Sequence, residues 1–229
     1  MAANDPAQRA QTMNEIAEQV RACTLCELHK NRNKAVPGAG NINTEILFIG
    51  EGPGFNEDKQ GLPFVGRSGD YLNKLLGMIG LSREKVFITN VVKCRPPENR
   101  DPLPVEITTC KPYLDSQEAA IDPLVIVTLG RFSMARYFAN GKITQIHGKP
   151  KFENGRAYIP MFHPAAVLRN PTLEPQMEAD FRQILVVLEQ VKAMRAGGTS
   201  APAAAPPSTP SKPADDPPKD DKPTQLKLF

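Results

Sequence analysis

The stretch EILFIGEGPGFNED, Glu45 to Asp58, decides how the chain is read. Its first six residues, EILFIG, form a short apolar run that stops at Gly50, the pattern of a buried strand. The residues that follow, Glu51 to Gly66, are rich in glycine and carry two prolines, so a loop is expected there. Glycines in such a place let backbone approach a ligand closely. No G-K-[ST] closes the loop and no G-x-G-x-x-G is present, so neither common phosphate motif applies. The same strand-then-loop grammar recurs in KVFITNVV (Lys85 to Val92), β-branched and strand-like, which runs into KCRPPENR. PLVIVTLG, Pro123 to Gly130, reads as a third buried strand.

Helical patterns lie between these strands. Residues 7 to 22 form one. Ser68 is placed to cap another, with Tyr71, Leu72, Leu75, Leu76 and Ile79 on one face. VEITTCKPYLDSQEAAI reads as a helix despite Pro112, RFSMARYF as a short one, and Glu174 to Met194 as a long amphipathic one. Lys149 to Pro160 suggests a hairpin turning at Asn154-Gly155. Strands alternating with helices predict an α/β fold with a mostly parallel sheet, whose sites gather beyond the carboxyl ends of the strands. There is no internal repeat. Residues 1–196 are expected to form one domain. Residues 197–229, rich in Pro, Ala, Ser, Asp and Lys, are expected to be a disordered tail.

Composition narrows the function classes. No apolar run reaches the roughly 18 residues of a membrane span. The N-terminus has no secretory pattern, so a cytosolic protein is expected. The net charge is +3; the tail from Gly197 holds four lysines and four aspartates, so that charge belongs to residues 1–196, compatible with a basic face. Four cysteines in a reducing compartment point to a metal or cluster site rather than disulfides. Cys23 and Cys26 form a C-x-x-C pair that turns two thiolates to one centre; Cys94 follows a strand and precedes a stiff Arg-Pro-Pro exit, and Cys110 lies further on. Four thiolates suit tetrahedral zinc or an iron–sulfur cluster, and the spacing alone leaves both open. Glu51 and Glu57 are potential bases beside the glycine loop. Phe64, in GLPFVG, is a core residue or a stacking platform for a base. His163 stands at a strand-to-loop junction with Pro164 fixing the exit of the chain.

Taken together, the N-terminal C-x-x-C, GEGPGFNEDKQGLPFVGRSG, ITNVVKCRPPENRDP, a cysteine sixteen positions after Cys94, and MFHPAAVLRNP resemble the family 4 uracil-DNA glycosylases, the iron–sulfur branch of that superfamily. The resemblance covers roughly residues 13 to 194. It implies a three-layer αβα sandwich around a four-stranded parallel sheet, one [4Fe-4S] cluster on Cys23, Cys26, Cys94 and Cys110, and hydrolysis of the N-glycosidic bond of deoxyuridine in DNA by a monomer. It also implies roles. Gly52 contacts uracil through backbone, Phe64 stacks on the flipped ring, Asn90 reads the base edge, His163 sits near uracil O2, and Val167, Leu168 and Arg169 press into the DNA. In a related family the loop reads G-Q-D-P-Y, with an aspartate that positions water. Gly52 stands at that place here, so Glu51 or Glu57 takes the task, with Glu51 favoured as the closer neighbour. His147, in QIHG, reads as ordinary surface. The competing expectations are a non-catalytic nucleic-acid-binding module stapled by metal, and a glycosylase of broader deaminated-base specificity.

The chain ends in QLKLF, where Gln225, Leu226, Leu228 and Phe229 resemble the pentapeptide by which many bacterial proteins bind the sliding clamp. The expectation is a docking tip on a flexible tether.

Overall fold

The computed structural model describes residues 5–197. Six strands form one sheet in the order β1-β3-β2-β4-β6-β5: β1 (Ala39–Gly40), β2 (Ile46–Gly50), β3 (Phe87–Asn90), β4 (Val125–Leu129), β5 (Lys151–Glu153) and β6 (Arg156–Met161). The four central strands are parallel, as expected; β5 pairs antiparallel with β6 as the expected hairpin, and β1, which the sequence reading did not count, pairs antiparallel with β3. The hairpin between β5 and β6 turns at Asn154 (φ 51°) and Gly155 (φ 70°), the two positive φ angles that a two-residue turn of this hand requires.

Helices cover both faces. α1 (Pro6–Ala22) and α4 (Pro104–Ile121) lie on one side; α3 (Arg67–Met78), α7 (Pro164–Arg169) and α8 (Glu174–Gly197) lie on the other. The pleat of β2 sorts its residues between them. Leu47 and Ile49 join Met13, Ile16, Val20 and Leu114 in one core, whereas Ile46 and Phe48 join Leu72, Leu75, Leu76, Phe181 and Ile184 in the other. Fully burying a leucine such as Leu72 or Leu75 contributes about 1.5–3 kcal/mol, so the leucine face of α3 alone anchors that layer. Asp5 caps α1 by accepting from the Ala7 N–H, with Pro6 at the first position, where its missing donor costs nothing. Glu106 fixes the start of α4 by accepting from the Leu103 N–H and from both terminal nitrogens of Arg100. Pro112 is carried inside α4.

Two local readings need correction. The segment read as a continuous loop contains a short helix, α2 (Phe55–Gln60), and Ser68 caps nothing: α3 begins one residue earlier, with Gly66 before it. The remaining short helices are α5 (Arg131–Ala135) and α6 (Ile143–Ile146). No described helix is long and apolar enough to cross a membrane.

Candidate active site

The register of the sheet brings the loops after β2, β3, β4 and β6 to one edge. Gly50 pairs with Asn90 at the carboxyl ends of β2 and β3, and Leu129 pairs with Met161 at those of β4 and β6. Beyond these ends lies a cleft of about 550 Å³, lined among others by Glu51, Gly52, Glu57, Phe64, Asn90, His163 and Arg169.

Glycines make this convergence possible. A Cβ on Gly50 would stand 2.4 Å from the Asn90 Oδ1 and 2.7 Å from the Phe64 ring, so both side chains reach the cleft only across a residue without one. Phe64 itself has φ 52°, an uncommon backbone state for an aromatic residue. The loop is held there from several sides. Glu57 Oε1 accepts from the backbone N–H of Val65 (2.9 Å) and Gly66 (3.0 Å). Arg83 donates to the carbonyls of Pro63 and Phe64. Gly69 leaves room for the Phe64 carbonyl, which a Cβ would meet at 1.8 Å.

Asn90 is 1% exposed, and neither its Oδ1 nor its Nδ2 has a hydrogen-bond partner in the protein. A buried amide left open on both atoms is costly unless something else completes it. His163 precedes α7, and its Nδ1 accepts from the Ala165 N–H at 3.1 Å. A neutral ring with that nitrogen engaged carries its proton on Nε2. Burial, reinforced by the Arg169 guanidinium and opposed by Glu57, pushes the His163 pKa down to about 4, so the ring is a neutral donor near pH 7. Its ring lies 5.7 Å from that of Phe64, nearly stacked.

The two glutamates differ in occupation. Glu57 is engaged in bracing the Phe64 loop. Glu51 is raised above the ordinary carboxylate range by desolvation and by Asp101, with Arg131 and Arg169 pulling the other way. Asp101 pairs with Arg131, and both line the cleft, as do Asn99, Arg100 and Ser68. Reasoning from the sequence missed these residues. Asp101 sits inside the quoted ENRDP segment, but its partner comes from β4's exit, and only the fold joins them.

Two expected placements change. Val167 is 3% exposed and belongs to the core, so within that triplet only Leu168 and Arg169 face outward. His147 is not plain surface: its Nδ1 lies 2.8 Å from the Asp180 Oδ2 and its ring 4.5 Å from that of Phe162, fastening α8 behind the residue before His163. Gln225, Leu226, Leu228 and Phe229 lie outside the described residues.

The four cysteines meet elsewhere. Cys23 and Cys26, from the exit of α1, Cys94 after β3 and Cys110 in α4 line one narrow cavity together with Val20, Leu28, Lys93 and Tyr113. Among the described residues, no three His, Cys, Asp or Glu side chains are gathered closely enough for a single metal ion. The sulfurs do have donors. Arg32 donates to the Cys94 Sγ at 3.0 Å, the Lys93 N–H to the Cys110 Sγ at 3.3 Å, and Tyr113 lies in hydrogen-bonding contact with Cys23. Burial pushes the Cys110 thiol up to about 11 and raises Cys94 as well, so without a cationic partner these groups keep their protons.

Comparison with known proteins agrees with this arrangement. A family model described as the uracil DNA glycosylase superfamily matches residues 37–189. The chain is 47% identical to the type-4 uracil-DNA glycosylase of Sulfurisphaera tokodaii, over 76% of this chain and 83% of that one. It is 49% identical to the type-4 enzyme of Saccharolobus solfataricus, over 74% and 83%. To that of Thermotoga maritima it is 48% identical, over 72% and 88%.

Proposed function

The chain belongs to the uracil-DNA glycosylase superfamily, and from that premise we propose that it is a type-4 uracil-DNA glycosylase, hydrolysing the N-glycosidic bond of deoxyuridine in DNA and leaving an abasic site. The observation that carries the site assignment is Asn90, a buried amide facing the cleft with neither side-chain atom satisfied. A uracil edge completes it: the Nδ2 donates to O4 and the Oδ1 accepts from N3–H. Cytosine presents an amine where O4 was, a donor against a donor, and is refused.

The target carbon is shielded in a duplex, so the nucleotide is extruded into the cleft at a few kcal/mol. Phe64 stacks on the ring, and Gly52 brings backbone close to it. As the glycosidic bond breaks, the sugar gains positive character and uracil leaves as an anion. The Nε2–H of His163 is aimed at O2, where that charge develops; one such donor is worth on the order of 3 kcal/mol. Because the ring stays neutral near pH 7, it stabilises the anion by a hydrogen bond and does not protonate it. Glu51 positions the water that attacks the sugar, and its raised pKa suits it to hold a water proton. Leu168 and Arg169, exposed next to the cleft-lining Ala165 and Ala166, would press into the DNA where the base leaves.

The four thiols lining one cavity suit an iron–sulfur cluster, with zinc as the alternative. Cys23, Cys26, Cys94 and Cys110 would hold the cluster. When bound it supplies a structural tie between the exit of α1, the loop after β3, and α4. The C-terminal QLKLF supports, from sequence alone, docking to a bacterial sliding clamp.

The test is uracil release from a single-uracil oligonucleotide against a matched thymine control, with purified protein in excess. Alkali-labile breakage at the uracil position only is expected. No release by folded, DNA-bound protein would leave a binding module, and release of other deaminated bases at a similar rate would widen the specificity.

A further inference from the structure

Lys93 is 1% exposed, yet it carries a charge-bearing side chain into the core. Its Nζ meets three acceptors: Thr89 Oγ1 at 2.6 Å, the Asn90 backbone carbonyl at 2.8 Å and Gln117 Oε1 at 2.7 Å. An ammonium has three N–H donors, so this set uses all of them. The network closes behind it, since Thr89 Oγ1 and Gln117 Nε2 both donate to the Pro37 carbonyl, at 3.1 and 2.6 Å. All three acceptors of the Nζ are neutral, and burying an ammonium among neutral groups is expensive. A methionine would fill similar space without that cost, so the hydrogen bonds themselves are what the position requires.

What they hold is informative. Asn90 ends β3 at the cleft, and its side chain has no partner of its own to orient it. The Lys93 Nζ grips the carbonyl of that same residue, while the Lys93 backbone N–H is fixed to Cys110 Sγ. We propose that Lys93 is a positioning residue for base reading: it clamps the Asn90 backbone so that the open amide faces the cleft, and it refers that clamp to the wall of the thiol cavity. This rests on the assignment of Asn90 as the uracil reader.

The test compares the full chain, Lys93→Met, Asn90→Ala and the double variant. Single-turnover uracil release and oligonucleotide affinity are measured together with absorbance at roughly 400 nm per chain. A misplacement of about 1 Å can cost ~100-fold, so Lys93→Met is expected to slow release on the order of 30-fold with affinity and absorbance unchanged. Added to Asn90→Ala, it should cost less than about 3-fold more, because a residue acting through Asn90 has nothing left to act on. Lys93→Gln, which keeps a donor for the carbonyl, should recover part of the rate. Release by Lys93→Met within about 3-fold of wild type, or effects of the two single variants that simply multiply, would overturn the proposal. Failure of both the Met and Gln variants to fold with absorbance intact would also overturn it, making Lys93 a requirement of the fold. If the wild type itself releases no uracil, the functional reading falls and this proposal with it.

Discussion

His163 shows how much one residue's surroundings decide. Its Nδ1 is taken by the Ala165 N–H, and burial holds its pKa at about 4 against an ordinary 6.5. Replacing it with alanine is expected to slow uracil release on the order of 100-fold, the loss of one donor to a developing anion, with the circular dichroism spectrum unchanged. The same shift has a consequence for stability. Between pH 6.5 and 4 the unfolded chain takes up a proton that the folded chain refuses. This group's contribution is therefore complete above 6.5, is lost progressively as the pH falls, and changes no further below about 4. Denaturant midpoints at pH 7 and pH 4.5 should accordingly differ less in His163→Gln than in the wild type. Equal differences would mean that the ring does not titrate as its burial implies.

At the scale of elements, the hinge of the site is the passage from α2 through Phe64 to α3. Glu57 holds two backbone N–H groups there, so Glu57→Ala leaves both unpaired and should destabilise the fold by about 1–3 kcal/mol, with slower release as a by-product. Glu51→Gln should show the reverse: stability within about 0.5 kcal/mol of wild type and a clear loss of rate. Urea unfolding beside single-turnover release separates the two. The sequence placed both carboxylates near the glycine loop but could not divide their tasks, because Glu57's partners are backbone groups eight and nine residues on. It also hid α2, since glycines and Pro53 mask a helix of only six residues. Ser68 looked like a cap by residue type, but the loop geometry set by Phe64 and Gly69 starts α3 at Arg67. The strands were legible because burial on both faces demands continuous apolar runs, and that pattern is local.

For the molecule as a whole, the parallel core followed from the alternation of elements, and the two helical layers from the family resemblance. The Asp101–Arg131 pair did not, because it joins a loop to the first residue of α5, which only the fold brings together. With the proposed cluster bound, the four thiols would tie the exit of α1, the loop after β3 and α4 at a corner that Val20, Leu28 and Leu114 of the second core also pack. Cys94→Ala should therefore abolish absorbance at roughly 400 nm and lower the melting temperature by more than about 10 °C. A colourless wild type with one zinc per chain would replace the cluster by that metal. The rims of the sheet carry a further consequence. β1 offers two residues and β5 three, the latter bearing Lys151 and Glu153. An incoming strand from another molecule finds too short a template, already charged, on which to lengthen the ladder. Within the described residues, the rims of the sheet are thus a poor template for edge-to-edge association between copies.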